Sequence, residues 1–296
     1  MANYSVASGP TRSPASFDDS LFSHWRSFVI LVLLATRAPG IEIHTAVIER
    51  DLLISWVKQS ESQNAARLER VRQLFNLVGC VTREQPVKHS KLPNLICEIP
   101  GPDDAMIVVG AHYDKVTDSE GVIDNWTGTA LLPALYQALK PDSTNTRQHK
   151  ILFIAFAEEE KGLVGSHHFA SQIKSKERTH YQAMVNIDSI GLGPISVWPS
   201  KANPRLMELL GQVANATKIP VGAVNLDQVG LSDSASFAAK KIPVIDFHSI
   251  TQATWPLLHT VKDNPAALKL DDYWTSYQLI AQYIAYLDQK LVATPQ

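Results

Sequence analysis

The sequence predicts an α/β protein in which helices cover both faces of a mostly parallel sheet. Short runs of apolar and β-branched residues alternate with longer segments in which apolar residues recur at helical spacing. Some runs are apolar at every position, as strands buried on both faces require. The chain of 296 residues, 45% of them hydrophobic, is long enough to bury a large core. Together these features predict a three-layer α/β/α arrangement.

Helices are predicted where apolar residues recur every three or four positions. The first spans residues 61–79 and stops at Gly79, since glycine commonly ends a helix. The next spans 124–140, although Pro133 inside it indicates a kink or a later start. The remaining helices are expected at 165–175, 204–218, 233–241 and 271–291.

Strands are predicted in the short apolar runs that Pro, Gly and Asp bound on either side. They are expected at residues 94–101, 106–114, 151–157, 183–191, 195–200 and 242–249. In a parallel sheet of this kind, functional side chains gather at the carboxyl ends of the strands.

The chain is expected to comprise an N-terminal tail over residues 1–40 and one domain over residues 41–296. The first twenty residues are small, polar and Pro-containing, which is typical of disordered segments. Segment 24–40 has a basic residue, a short apolar run and then small residues, the layout of a signal peptide. The run is too short to span a bilayer comfortably, and a buried helix or strand is the alternative. We expect an exported protein, with the cytoplasm as the alternative.

Charge and cysteine content narrow the classes of partner. A formal net charge of -2 offers no basic footprint, which argues against nucleic acid as a partner. The two cysteines, Cys80 and Cys97, either form one disulfide in an exported protein or stay unpaired as small apolar residues. Serine-hydrolase chemistry is not expected, because no G-x-S-x-G segment occurs. The H-E-x-x-H zinc helix is also absent from the sequence.

Ionisable side chains stand at the carboxyl ends of the predicted strands or in neighbouring loops. His112 and Asp188 each end a strand, and three glutamates follow the strand at 151–157. Asp124 precedes a helix, where an N-cap is the ordinary explanation, and His259 lies in a late loop. Carboxylates that converge repel one another unless cations neutralise them. Since zinc accepts both nitrogen and oxygen ligands, the set predicts a metal site, and a bridging carboxylate would allow two ions.

Four segments resemble, in order and spacing, the co-catalytic zinc aminopeptidases. That family includes glutamate carboxypeptidase-like enzymes and, as a divergent branch, the glutaminyl cyclases. The segments are "VVGAHYDKV…GVIDNWTG", "FAEEEKGLVGS", "MVNIDSIG" and "LLHTVKD", within a resemblance that covers about residues 60 to 291. It implies a mixed sheet between helix layers, zinc-exopeptidase activity on peptides and two zinc ions per chain. Cobalt or manganese would be acceptable to the same ligands.

The resemblance also implies a metal-binding role for each residue that matches the motifs. His112 and Asp188 would bind one zinc ion. Glu160 and His259 would bind the other, and Asp124 would bridge the two.

The family motif distinguishes the three consecutive glutamates. It has a Glu-Glu pair, one spacer residue and then Gly-Leu-x-Gly-Ser, so Glu160 matches the ligand and Glu159 the general base. Glu159 would take a proton from the attacking water, which the metals activate, and return it to the leaving amine. Glu158 is left over, and its charge is expected to be solvated or paired elsewhere. Three neighbours in a strand would alternate between faces, so the strand must end before this group.

Two further acids are expected to orient the histidines. Asp114 would accept a hydrogen bond from His112, and Asp263 would do the same for His259.

The substrate pocket is less well defined, because Leu258 stands where family aminopeptidases often have a tyrosine that binds the oxyanion. That role would fall to zinc or to Tyr113. The segment "VGLSDSASF" resembles the loop that lines the family's pocket, with a turn and helix cap as the alternative. The pocket candidates are Ser232, Asp233, Ser236, Trp255 and Tyr113.

Three activities remain open at this level. An aminopeptidase is expected, since the chain shows no recognisable inserted domain like that of the carboxypeptidase branch. A glutaminyl-peptide cyclotransferase is the alternative, to which Trp255 upstream of His259 gives some support. A catalytically inactive binding domain on the same fold is the third, but such a domain would be expected to have lost metal ligands.

Overall fold

The computed structural model describes residues 32–38, 41–141 and 146–291, in which strands and helices alternate. The strands are β1 (Val32–Ala38), β2 (Ile41–Val47), β3 (Arg83–Gln85), β4 (Asn94–Ile99), β5 (Met106–His112), β6 (Lys150–Phe156), β7 (Tyr181–Ile187), β8 (Ser196–Val197), β9 (Gly222–Ala223) and β10 (Val244–His248). The helices are α1 (Arg50–Val57), α2 (Asn64–Leu77), α3 (Gly128–Leu139), α4 (Val164–Ser171), α5 (Pro204–Thr217), α6 (Ser234–Ala238) and α7 (Leu270–Lys290). Every predicted element in these ranges has a counterpart, with shifted ends.

The main sheet has eight strands in the order β3-β4-β6-β5-β7-β10-β8-β9. The four middle strands, β6, β5, β7 and β10, run parallel to one another. β4 pairs antiparallel with β6, and β8 pairs antiparallel with β10, so the sheet is mixed. Strands β1 and β2 form a separate antiparallel pair. The predicted α/β/α fold is confirmed.

Alternation along β6 explains why this strand is apolar throughout. Ile151 and Phe153 point into the larger core, which α3 and α7 cover. Ile154 and Phe156 point into the smaller core on the other face, against side chains of α4 and α6. Each fully buried side chain of this size contributes about 1.5–3 kcal/mol to folding. A polar residue at any of these positions would therefore weaken one of the two layers.

Helix α3 begins at Gly128, four residues later than the sequence predicts. Asp124 and Asn125 have non-helical backbone angles, and Asn125 Oδ1 accepts the Gly128 amide at 3.0 Å. The ordinary N-cap explanation for Asp124 therefore does not hold, since Thr127 stands at the N-cap position and its side chain makes no capping bond. Pro133 lies inside the helix, five residues after its first residue, so the late start is not an effect of this proline. The late start leaves the Asp124 carboxylate out of the helix and available to the site.

The N-terminal predictions lie largely outside the described residues. Of segment 24–40, the structure describes Val32–Ala38, which forms β1. The division at residue 40 and the signal peptide therefore stay predictions. In the described part of the chain, no helix combines the length and apolarity that crossing a bilayer requires. Cys80 and Cys97 are joined by a disulfide, which settles the alternative that the sequence left open.

Candidate metal centre

The carboxyl ends of β5, β6 and β7 lie side by side, and the loop that carries His259 meets them, so all five predicted ligand residues come together. His112, Asp124 and Asp188 form one group, which we call the inner cluster. Asp124, Glu160 and His259 form a second group, the outer cluster. Within each cluster the ligand atoms lie within 4.8 Å of one another. The clusters share Asp124, as the sequence predicts for a bridging carboxylate.

The two oxygens of Asp124 point to different histidines. Oδ1 lies 3.2 Å from His112 Nε2, and Oδ2 lies 3.1 Å from His259 Nε2. Glu160 Oε2 is 3.1 Å from the same His259 nitrogen, while Asp188 Oδ1 is 3.6 Å from His112 Nε2. Ligands about 2.1 Å from a tetrahedral zinc ion lie about 3.4 Å apart, so these separations fit a zinc site. Among the described residues, the buried Glu160 Oε1 has no hydrogen-bond partner, which also fits a cation at this position.

His112 is oriented mainly by the backbone. Its Nδ1 lies 3.2 Å from the carbonyl oxygen of Asp114 and 3.6 Å from the Asp114 carboxylate. That carboxylate instead accepts the backbone amides of Glu159 (3.0 Å) and Glu160 (3.2 Å). The expected bond from His112 to the Asp114 side chain is thus replaced by one to its main chain. Asp114 connects the histidine to the glutamate segment.

The segment after β6 turns sharply, because three positions, including Leu163 with φ 61°, adopt conformations that few residues tolerate. Glu158 has φ 54° and Gly162 has φ 101°, and Glu159–Lys161 forms a single 3-10 turn between them. At Gly165, a Cβ atom would lie 2.3 Å from Asn94 Oδ1, so any larger residue would displace that asparagine. The strand ends before the glutamates, and these three neighbours therefore need not alternate between faces.

The turn sends the three glutamates to three different places. Glu160 reaches the outer cluster. Glu159 belongs to neither cluster and lines the cleft beside His112. Glu158 is nearly buried and forms an ion pair with Lys161 at 2.8 Å, so its charge is paired rather than solvated.

The electrostatics show that the site has an excess of negative charge. Burial opposes a charge on His112, but Glu159, Asp114, Asp124 and Asp188 outweigh it and raise the His112 pKa well above its usual range. Burial raises the pKa of Glu159 to about 10, despite the opposing His112 and with help from neighbouring acids. Without a metal, the site therefore holds protons at neutral pH in place of cations.

The outer histidine is charged for a different reason. Hydrogen bonds to Asp124 and Glu160 raise the pKa of His259 to about 10, and its half-exposed ring pays a smaller desolvation penalty. The Asp124 pKa is lowered against the effect of burial, because both histidines contact its carboxylate.

Asp263 serves the loop before Asp124 rather than His259. Its carboxylate accepts the amides of Ile123 (2.6 Å) and Asp124 (3.2 Å), and the Ser119 hydroxyl donates to it at 3.1 Å. The expectation that Asp263 orients the His259 imidazole is therefore wrong. Asp263 instead acts on the site through the backbone amide of Asp124, the residue that both clusters share.

A cleft of about 420 Å³ opens beside the two clusters. Its walls are mainly apolar, and the apolar side chains include Trp198, Leu226, Val229, Leu231, Ile250 and Leu258. Ser232, Asp246 and His248 add polar groups to the lining. A cleft with this lining suits a ligand group that is largely apolar.

The five pocket candidates divide into two groups. Ser232 lines the cleft and donates to Asp188 Oδ2 at 2.8 Å, and Trp255 lines it with its ring 6.3 Å from the His259 ring. Asp233 is buried and is not part of the lining.

The other two candidates, Ser236 and Tyr113, do not line the cleft, so their assignment to the pocket is wrong. Ser236 lies 3.0 Å from the hydroxyl of Ser166, where α6 packs on α4. Tyr113 is fully buried, and its hydroxyl donates to the carbonyl oxygen of Pro93 at 2.9 Å. That bond uses Tyr113 in the core of the sheet, so it does not supply the oxyanion contact.

Sequence reasoning missed a polar chain behind Asp188. Asn186 donates to Ser232 Oγ (2.6 Å) and to Asp246 Oδ1 (3.1 Å), and Ser234 donates to the second Asp246 oxygen. The signal was a polar residue between apolar neighbours in each of two strands, Asn186 in β7 and Asp246 in β10. Such residues inside an apolar run are buried only with partners.

Comparisons with known proteins place these observations in a family. The profile of peptidase family M28 matches residues 94–284. The chain is 31% identical over 171 residues to aminopeptidase YwaD of Bacillus subtilis strain 168, covering 54% of this chain and 36% of that protein. It thus spans little more than a third of that relative.

Solved structures share the fold. The LapA aminopeptidase of Legionella pneumophila superposes with a TM-score of 0.71 at 22% identity, over 82% of this chain and 71% of that chain. A glutaminyl cyclase from an Acidobacteriales bacterium superposes with a TM-score of 0.64 at 18% identity, over 81% and 94%. The two neighbours match the two branches that the sequence resembles, and the matched profile covers more than half of the chain. The chain belongs to peptidase family M28.

Proposed function

We propose that the protein is a zinc-dependent exopeptidase, and specifically an aminopeptidase that binds two zinc ions. The observation that carries the proposal is the pair of clusters sharing Asp124, with Glu159 beside them in the cleft. His112 and Asp188 would hold one ion, and Glu160 and His259 the other. Zinc in such a site polarises a substrate carbonyl and lowers the pKa of water.

The chain's own residues account for the proton transfers. Glu159 belongs to neither cluster and lines the cleft, so its carboxylate would accept a proton from the attacking water. The same group then returns that proton to the leaving amine. The backbone amide of Glu159 is fixed by Asp114, which keeps the carboxylate within the cleft. With cations present, the acids are neutralised and Glu159 can ionise near neutral pH.

The substrate is proposed to be a peptide with a free amino terminus and an apolar first side chain, which the walls of the cleft accommodate. The test is a panel of free-amine, acetylated and C-terminally blocked peptides, assayed with added zinc. We expect cleavage of the free-amine peptides alone. Equal cleavage of acetylated peptides would overturn the aminopeptidase assignment while leaving a metallopeptidase.

A glutaminyl-peptide cyclotransferase is the second candidate. Its support is Trp255, whose ring lies 6.3 Å from the His259 ring at the edge of the cleft. Aminoacyl-nitroanilides and glutaminyl peptides separate the two activities, since the first release a chromophore by hydrolysis and the second cyclise. A chain that binds zinc but turns over neither substrate would instead be a binding domain.

We also propose that the protein is exported. The support is the disulfide between Cys80 and Cys97, because such bonds persist mainly in oxidising compartments. Thiol labelling of native protein, with and without a reductant, tests it. Two labelled cysteines before reduction would contradict export.

A further inference from the structure

A buried arginine lies beneath the loops that carry the inner cluster. Arg67 is on α2, on the same helix face as the buried Val71, Leu74 and Phe75, and its exposed fraction is 0%. Burial lowers the pKa of Arg67 to about 10, so it stays charged at neutral pH. A buried charge is costly unless its donors are satisfied. A charged Arg67 is therefore unusual on a helix face whose other buried residues are apolar.

The guanidinium of Arg67 joins the two ends of the loop 113–121. Nε donates to the carbonyl oxygen of Tyr113, and Nη2 donates to that of Gly121 at 2.9 Å. Nη1 is 3.4 Å from the carbonyl oxygen of Glu120. A planar guanidinium holds its donors at fixed angles, so one side chain sets the positions of both loop ends at once.

Both loop ends bear directly on the inner cluster. Tyr113 follows His112 in the chain, and Gly121 lies three residues before Asp124. The ring of Trp126, two residues after Asp124, covers the guanidinium at 5.1 Å in a cation–π contact. The contacts of Arg67 thus lie next to two of the three inner ligands, His112 and Asp124. None of them lies next to Glu160 or His259, the two residues that belong to the outer cluster alone.

The contacts of Arg67 differ from those of an ordinary buried ion pair. Among the described residues, its acceptors are backbone carbonyls and the hydroxyl of Ser60, and no carboxylate lies within ion-pair distance. Asp114, Asp263 and Asp124 offset the effect of burial on its pKa from a distance. An apolar residue of similar volume often stabilises a core as well or better, so stability alone does not account for Arg67.

A second residue of α2 attaches to the same loop. Asn64, one helical turn before Arg67, accepts the Lys115 amide at 3.2 Å and lies 3.4 Å from the Lys115 carbonyl oxygen as a donor. The first turn of α2 therefore contacts the loop at Tyr113 and at Lys115, the residues on either side of Asp114.

We propose that Arg67 is a positioning residue for the inner metal ion. It fixes the separation of His112 and Asp124 by holding the ends of the loop between them. This inference rests on the proposed function in one respect, that the clusters bind metal. It goes further in assigning the geometry of the inner ion to a residue that contacts neither ion, while the outer cluster shares only Asp124 with the loop that Arg67 holds.

The test uses two variants of the full chain. Arg67→Lys keeps the charge but cannot bridge the loop ends, and Arg67→Met removes the charge as well as the bridge. Zinc affinity is measured by competition with a chromophoric chelator, and the visible absorption of the cobalt-substituted protein reports ligand geometry. Both variants are expected to lose about 10–100-fold in affinity for one ion, with a changed cobalt spectrum. The affinity for the other ion should change much less.

Arg70→Lys and Arg70→Met are the matched controls. Arg70 is on the same helix and contacts Gln73 and Glu61 instead of the loop, so its variants should bind both ions as the wild type does. If the Arg67 variants melt earlier but keep both affinities and the cobalt spectrum, the role is structural and the proposal is wrong.

Three further outcomes are decisive. If neither Arg67 variant folds, Asn64→Ala takes their place, and it must weaken the binding of one ion more than that of the other for the proposal to stand. If the wild-type chain binds neither zinc nor cobalt, the metal centre itself is wrong and the role of Arg67 falls with it. Two bound ions in the wild type, with unchanged binding in the variants, refute Arg67 alone.

Discussion

The inner and outer clusters share Asp124 but differ in how the chain holds their histidines. His112 ends a central strand, its side chain is 2% exposed, and its carbonyl oxygen accepts the Thr129 hydroxyl at 2.6 Å. His259 lies in a loop with φ 59°, and its side chain is 47% exposed. The geometry of one cluster is set by the packed sheet, and that of the other by a surface loop.

This difference teaches that the two ions should not be equivalent. A ligand held by the sheet pays little entropy when a cation binds, while a half-exposed loop residue must be ordered at that moment. We therefore expect the inner ion to bind more tightly and the outer ion to exchange more readily. The glutamate segment lies between these extremes, since Asp114 fixes two of its amides.

The largest expected effect leaves both clusters intact. Glu159→Gln removes the proton acceptor but no cluster member, so we expect kcat to fall by about 10²–10⁴-fold with two ions retained. Steady-state kinetics with metal analysis checks this. A variant that loses an ion would show that the assignment of Glu159 and Glu160 is shifted by one residue.

The next effect separates the clusters directly. His259→Gln should leave one tightly bound ion per chain, because the inner cluster keeps all three of its residues. His112→Gln should lose the inner ion and weaken the outer one, since Asp124 loses a partner. Metal content after gel filtration distinguishes them. Equal losses in the two variants would contradict the comparison.

A third effect is a pH dependence of the metal-free chain. The folded-state pKa of His259 is about 10, above its unfolded value, so the folded chain binds the extra proton between these values. Glu159, with its pKa raised to about 10, acts in the same direction. Stability of the metal-free chain should therefore fall as pH rises from neutral toward 10. Denaturant unfolding at several pH values measures the slope.

The zinc-loaded chain is the control for that slope. Metal replaces the protons, so zinc binding should release protons and strengthen as pH rises. Calorimetry in buffers of different ionisation enthalpy counts the protons released. A metal-free slope that is unchanged in His259→Gln would exclude this histidine as a cause.

The smallest effect is expected at the remaining glutamate. Glu158 pairs with the exposed Lys161, and such pairs contribute less than about 1 kcal/mol. Glu158→Gln should therefore keep both ions and nearly all activity, with a melting temperature close to that of the wild type. Loss of turnover in this variant would overturn the register of the whole segment.

Much of the site was predictable because its signals are local. The ends of apolar strands, the run of glutamates and the glycines after it stand next to one another in the chain, and these rules apply over a few residues. The start of α3 was missed for a local reason as well, since Asp124 and Asn125 have non-helical backbone angles that residue type alone does not reveal. Tyr113 was wrongly assigned to the pocket because neighbouring side chains at the end of a strand point in different directions. The sequence alone does not show which of them is buried in the core.

The sequence alone determined the order of the elements, the mixed donor set and the family, because these depend on periodicity, residue type and spacing. Only the tertiary structure decided which loop Asp263 serves and which carbonyl oxygens Arg67 contacts. Asp263 bonds to Ile123 across 140 positions, and Arg67 bonds to Tyr113 across 46. Contacts at such separations depend on how helices and loops pack around the sheet, and no local pattern in the chain encodes them.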